Sequence, residues 1–192
     1  MTTPCCIKIK YSLENTLKKS RFIGVVLPCY SVQDVQISLN QFSIDYADAS
    51  HIAFAYRLKT DNGIIYRFYD AGEPTGTAGK PIFQHLDGKN LINVLVVVIR
   101  YYGGIKLGAG GLMRAYGNTA KDVLEAAEIV PYIEMANVPL TLDYQQLQPL
   151  EYLLKKLDGI VINQQFSGQV QLLVQLPVQH VDTLLQSFSH YS

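Results

Sequence analysis

The residues best able to do chemistry crowd into two segments. The longer is Arg100-Tyr-Tyr-Gly-Gly-Ile-Lys-Leu-Gly-Ala-Gly-Gly-Leu-Met-Arg-Ala-Tyr-Gly117. Gly103, Gly104, Gly108, Gly110 and Gly111 strip side chains from a turn that follows an apolar stretch and opens a helix. Bare backbone can take positive φ and approach a ligand closely. The free N–H groups of the following helix add partial positive charge at the same point. Lys106 and Arg114 add formal charge, with Arg100 on the strand side. The combination suits a phosphate, of a nucleotide or of a nucleic-acid backbone. It is not a Walker A loop, because no G-K-[ST] follows the glycines, and the G-x-G-x-x-G fingerprint is absent too. The same glycines would also let the helix pack closely on a sheet, and spacing alone weighs the two readings equally.

The second segment is Asp70-Ala-Gly-Glu-Pro-Thr-Gly-Thr-Ala-Gly-Lys-Pro81. Thr75 or Thr77 is expected to cap the helix that follows. Asp70 and Glu73 could hold Mg²⁺ beside a bound phosphate, or fix Lys80 and Arg100 by ion pairing. Two carboxylates are few for a magnesium site, so the ion pair is favoured and no metal or cofactor is assigned. His51 is the one histidine of four on an expected strand beside other candidate site residues, but no serine, cysteine or carboxylate partner is fixed for it. No catalytic residue is therefore assigned, and binding is favoured over catalysis. Lys19 and Arg21 belong to a short basic cluster with Lys18. Between Asn62 and Lys121 seven basic residues outnumber three acidic ones, and Tyr101, Tyr102 and Tyr116 interleave with that charge. Charge that tracks a backbone and rings that stack on bases are what single-stranded nucleic acid requires, although each ring, at a strand-end or helix position, fits core or rim packing at least as well.

Elements must position these groups. Cys6–Tyr11 and Phe22–Leu27 read as strands, and Ser31 as the N-cap of a helix with Val32, Val35, Leu39 and Phe42 on one face. Ile52, Phe54 and Tyr56 alternate as in a strand, and Asp61-Asn62-Gly63 marks a hairpin into Ile64–Tyr69. Asn93–Tyr102 is apolar on both faces, so it is expected at the centre of a sheet. Leu112–Ile129 reads as a helix. Further on, Val138–Asp143, Gln145–Leu157, Ile160–Phe166, Gln169–Leu176 and Gln179–Phe188 follow the order β-α-β-β-α, a split βαβ pattern without a clear last strand.

The 192 residues suit one large domain or two small ones. Eleven of the 14 glycines lie between Gly63 and Gly117, whereas residues 137–192 hold ten glutamines against four before them. That shift, with Pro131 and Pro139 flanking it, places a joint near Met135–Pro139 and divides the chain into residues 1–136 and 137–192. The 16 basic and 16 acidic residues balance, which excludes a chain coated in positive charge but not a focused anion site. The longest apolar run, Val94–Ile99, is far below the roughly 18 residues of a membrane span. Lys8 and Lys10 interrupt the only apolar stretch near the N-terminus, so no signal peptide is expected. The three cysteines form no C-x-x-C and suit a reducing, cytoplasmic setting.

Four stretches together resemble the IMPACT family in its bacterial form. They are Lys19-Ser-Arg-Phe-Ile23, Ala49-Ser-His51 with Ala55-Tyr-Arg57, Gly72-Glu-Pro-Thr-Gly-Thr-Ala-Gly79, and the long segment from Arg100 to Gly117. The resemblance covers roughly residues 5–130 and adds His51 and Arg57 to the candidate binding residues. It implies an α+β N-terminal domain with the fold of the second domain of a small-subunit ribosomal protein, of the left-handed βαβ type. It implies a small ferredoxin-like C-terminal domain as well. Ile52-Ala53 replace the Asn-Cys that the family often carries, and Tyr69-Asp70-Ala71 replace Ser-Asp-Asp, which removes one carboxylate. Eukaryotic relatives regulate translation through an additional domain that is not part of this sequence. The partner interaction made with that domain is not carried over. For bacterial members the resemblance implies a nucleic-acid- or ribosome-linked role, and with the basic glycine loop and interleaved tyrosines the chain is read as a protein that binds RNA or the ribosome and acts on translation. A protein or enzyme for a phosphorylated small molecule, as in the similarly folded GHMP kinases, is the alternative. Neither reading fixes an oligomeric state.

Overall fold

The computed structural model describes residues 3–188. They fall into two units, one reaching Tyr132 and the other starting at Ile133. The first unit runs β1 (Cys5–Ile7), β2 (Tyr11–Leu17), β3 (Ser20–Pro28), α1 (Val32–Asp45), β4 (His51–Thr60), β5 (Gly63–Tyr69), α2 (Gly79–Gly88), β6 (Val94–Tyr101), α3 (Gly108–Ala126) and β7 (Ile129–Pro131). The second runs β8 (Met135–Leu142), α4 (Leu147–Lys156), β9 (Ile160–Phe166), β10 (Val170–Pro177) and α5 (Val181–Phe188). The class is α+β. Among the described residues, no helix is long and apolar enough to cross a membrane.

A five-stranded antiparallel sheet in the order β2-β3-β6-β4-β5 organises the first unit. Strand β6 is central because it is apolar on both faces. Alternation sends Val94, Val96 and Val98 toward one helical layer, with Ile82 of α2 and Ala120 of α3. It sends Leu95, Val97 and Ile99 to the other face, against Val35 and Phe42 of α1. Helix α1 starts where its cap predicts: Ser31 Oγ accepts from the Asp34 N–H at 3.0 Å, and Asp34 Oδ2 accepts from the Ser31 N–H at 3.0 Å. Asp61 and Asn62 turn the β4–β5 hairpin, and Gly63 supplies its positive φ of +112°.

The structure corrects three expectations. Cys6–Tyr11 is not one strand: β1 ends at Ile7 and pairs with β7, and β2 begins at Tyr11 on the edge of the main sheet. Strand β2 carries Ser12, Glu14, Asn15 and Thr16, so no apolar alternation announces it. Helix α3 starts at Gly108, four residues before Leu112. It ends at Ala126, because Ile129 is drawn into β7 opposite Ile7.

The second unit follows its predicted order. Strand β10 lies between β8 and β9, antiparallel to both, and α4 and α5 bury Leu150, Leu154 and Leu184 against Val170, Leu172, Val174 and Leu176.

Candidate functional site

One end of the main sheet builds the site. The register sets Phe22 of β3, Arg100 of β6 and His51 of β4 side by side, so these three side chains share a face. That is the face covered by α2 and α3. A cavity of about 430 Å³ opens there, lined by His51, Glu73, Pro74, Arg100, Tyr102, Lys106, Leu107, Gly108, Ala109 and Leu112.

A buried carboxylate network forms its floor. Glu73 Oε1 accepts from Arg100 Nη1 and from the Tyr116 hydroxyl at 2.6 and 2.8 Å. Glu73 and Arg100 are 4% and 5% exposed at their side chains, so each charge depends on the other for its solvation. Burial and the Glu73 charge push the Tyr116 hydroxyl far above the usual tyrosine range, so it stays a donor. Arg100 Nη2 also donates to Ser20 Oγ at 3.4 Å, and the Gly103 N–H donates to the same oxygen at 3.2 Å. Arg100 Nε is the single buried side-chain nitrogen or oxygen without a partner among the described residues.

His51 is oriented from behind. Its Nδ1 lies 2.8 Å from the Ala71 carbonyl, which can only accept, so Nδ1 carries the hydrogen. In the neutral ring Nε2 is then a free acceptor, 3.7 Å from Glu73 Oε1. Opposite, α3 begins without a side-chain cap: Leu107 precedes it, and Gly108 enters at φ +71°. The first-turn N–H groups of this 19-residue helix are therefore unclaimed by any side chain, and Lys106 stands beside them.

Each candidate residue now has a place. His51, Glu73, Arg100, Lys106 and Gly108 line the cavity. Gly110 and Gly111 lie in the first turn of α3. Arg114 is exposed on α3, and its Nη1 lies 3.9 Å from where a Cβ on Gly110 would sit. Gly103 serves packing: a Cβ there would stand 2.0 Å from the Lys19 backbone. Gly104 takes φ +83° with open space around it. Lys19 contributes its backbone to that contact, and its side chain is exposed. Tyr101 and Arg21 pair across the strands on the opposite face of the sheet, with the guanidinium 4.2 Å over the ring and the hydroxyl donating to Asp48. Arg57 lies six residues along β4 from His51, roughly 20 Å away. There it donates to the Leu86 carbonyl near the end of α2 and faces Asp87. Lys80 and Thr75 are exposed outside the cavity lining.

The capping expectation is corrected. Neither Thr75 nor Thr77 caps α2. Asp70 does so from a distance, accepting from the N–H groups of Gly76, Ala78 and Gly79 at 2.8, 3.0 and 2.8 Å. Thr77 instead donates its hydroxyl to the Pro74 carbonyl at 2.6 Å. Burial raises the Asp70 pKa, but the three amide donors outweigh it and the net shift is downward. Both Asp70 oxygens are thereby occupied. Glu73 meets Arg100, as the ion-pair expectation had it, and not Lys80.

Sequence reasoning missed Ser20, which joins Arg100 to Gly103, and it left Tyr116 open between a stacking ring and core packing. Tyr116 is fully buried against Phe22 in an edge contact. Its spacing from Leu112, Ala120 and Val123 on one helical face is the signal that points inward.

Residues 18–124 match the Impact N-terminal domain, and residues 140–189 match a domain of unknown function, DUF1949. The IMPACT family member YigZ of Escherichia coli (strain K12) is 34% identical over 92% of this chain and 87% of its own length. A crystal structure described as a hypothetical protein is 32% identical and superimposes with a TM-score of 0.74, covering 100% of this chain and 94% of that one. The two-domain translational regulator Yih1 matches 63% of this chain and 46% of its own at 21% identity and a TM-score of 0.38, too slight a likeness to carry an argument.

Proposed function

The chain belongs to the IMPACT family, and from that premise we propose that its first unit binds a phosphate-bearing ligand where α3 begins. The observation that carries this reading is the meeting of three positive features on one cavity. They are an uncapped helix start, Lys106, and the Arg100 side chain in the cavity lining. Helix amides and a guanidinium together favour an anion with several oxygens. The cavity is concave and its lining mixes Leu107, Leu112, Ala109 and Pro74 with those polar groups, the usual make-up of a small-molecule site. A small phosphorylated ligand is therefore the first reading. Binding is the role assigned, and no group is given a catalytic one. The family tie supports a link to translation.

RNA or the ribosome is the second reading. It is favoured by Tyr102, whose ring is half exposed at the cavity wall beside Arg100, by the exposed Arg114 on α3, and by the exposed Lys19, whose backbone lies against Gly103. The two are separated by one pair of titrations on the full chain. A thermal shift with ATP or GTP that Gly110→Val abolishes supports the small ligand. Binding of single-stranded RNA that weakens with salt and with Lys106→Ala plus Arg114→Ala supports the nucleic acid. Absence of both refutes the phosphate site.

A further inference from the structure

The cavity is not uniformly positive, and its two sides ask for different things. On one side stand donors: the first amides of α3 at Gly108 and Ala109, and Lys106. On the other stand two acceptors. In the neutral ring His51 Nε2 is one, because Nδ1 spends its hydrogen on the Ala71 carbonyl. The Glu73 carboxylate is the other: the two hydrogen bonds it accepts from Arg100 and Tyr116 both go to Oε1. At 3.7 Å the imidazole and the carboxylate do not hydrogen-bond to each other. Two acceptors facing one space leave room for a donor supplied by the ligand. A phosphate cannot fill that role, since its oxygens would meet a lone pair and a negative charge.

Resting on the phosphate reading, we propose that the ligand is a hydroxyl-bearing phosphate ester, of the sugar-phosphate class. Its phosphate sits at the start of α3, and a hydroxyl donates to His51 Nε2 and Glu73. The volume supports this division, because about 430 Å³ is far more than a phosphate alone occupies. A hydroxyl held by buried acceptors is read sharply, since an analogue without it leaves those acceptors unpaired.

The test is calorimetric titration of the full chain with inorganic phosphate, phenyl phosphate and ribose 5-phosphate. Phenyl phosphate and ribose 5-phosphate carry the same charged group, and only the second has hydroxyls. Ribose 5-phosphate is expected to bind about tenfold more tightly than phenyl phosphate. His51→Asn keeps a side-chain N–H for the Ala71 carbonyl and removes Nε2. It is expected to erase most of that preference while leaving the affinity for inorganic phosphate unchanged. Equal binding of the two esters overturns the inference and leaves the phosphate site standing. A preference that survives His51→Asn, or an equal loss for all three probes, also overturns it. Failure of all three to bind overturns the phosphate reading itself.

Discussion

At the scale of residues, the Glu73–Arg100–Tyr116 network decides whether the site exists. Removing one member of a buried ion pair strands the other charge, which typically costs about 3–5 kcal/mol. Glu73→Gln is therefore expected to lower stability by about that amount, read as a shift in the urea midpoint at constant slope. Tyr116→Phe removes one donor to a carboxylate that keeps Arg100, and it should cost about 1–2 kcal/mol. If Glu73→Gln proved no more costly than Tyr116→Phe, the charge pair would not be what holds the floor. Cys29 gives a second test. Burial, with a smaller push from Asp34 against the Ser38 hydroxyl, raises its thiol to about 11, so thiolate is scarce at neutral pH. A thiol reagent at pH 8 should modify Cys29 in the native protein only as fast as the protein opens, and promptly in denaturant.

At the scale of elements, the question is how helices start. Asp70 holds the first amide of α2, at Gly79, together with those of Ala78 and Gly76 just before it, and losing such a cap costs about 1–2 kcal/mol. Asp70→Ala should lower the melting temperature at pH 7. The sign with pH follows from the depressed pKa. The contribution is present above the ordinary aspartate value of about 3.9 and is lost as pH falls through the lower folded value. The gap between wild type and Asp70→Ala should thus close as pH drops below about 4. Helices and strands with an apolar period were legible in the sequence: α1 from Ser31, β6 from its run of Val and Ile, and the β8–α5 order. What was not legible depended on distant chain. The cap of α2 comes from Asp70 because the loop folds back, whereas local spacing points to a threonine. The glycines of the long segment look alike in sequence, yet Gly103 is fixed by the Lys19 backbone, more than 80 residues away. Gly110 meets nothing closer than the Arg114 guanidinium. Gly103→Ala should therefore destabilise strongly, by more than about 2 kcal/mol from overpacking against backbone, while Gly110→Ala should be neutral or slightly stabilising. Denaturation midpoints of the two variants check this contrast.

At the scale of the molecule, the two units keep separate accounts of burial. The cores around β6 draw only on residues up to Ala127, and the core around β10 only on residues from Val138 on. Charge divides the same way: residues 1–136 carry 14 basic and 12 acidic side chains, and residues 137–192 carry two and four. The net zero is thus a sum over unlike parts, and the site with its Lys106 and Arg100 belongs entirely to the first. A cavity made in one core should weaken that core's own unit. Leu150 is fully buried between α4 and β10, so Leu150→Ala should cost the second unit about 2–5 kcal/mol. Hydrogen exchange reads both units at once. Protection should fall across residues 135–188 and persist in β3, β4 and β6, and the phosphate binding proposed for the first unit should be retained. Equal loss of protection in β6 would mean that the chain unfolds as one cooperative body. The proposed anion site would then depend on a core that contributes none of its residues.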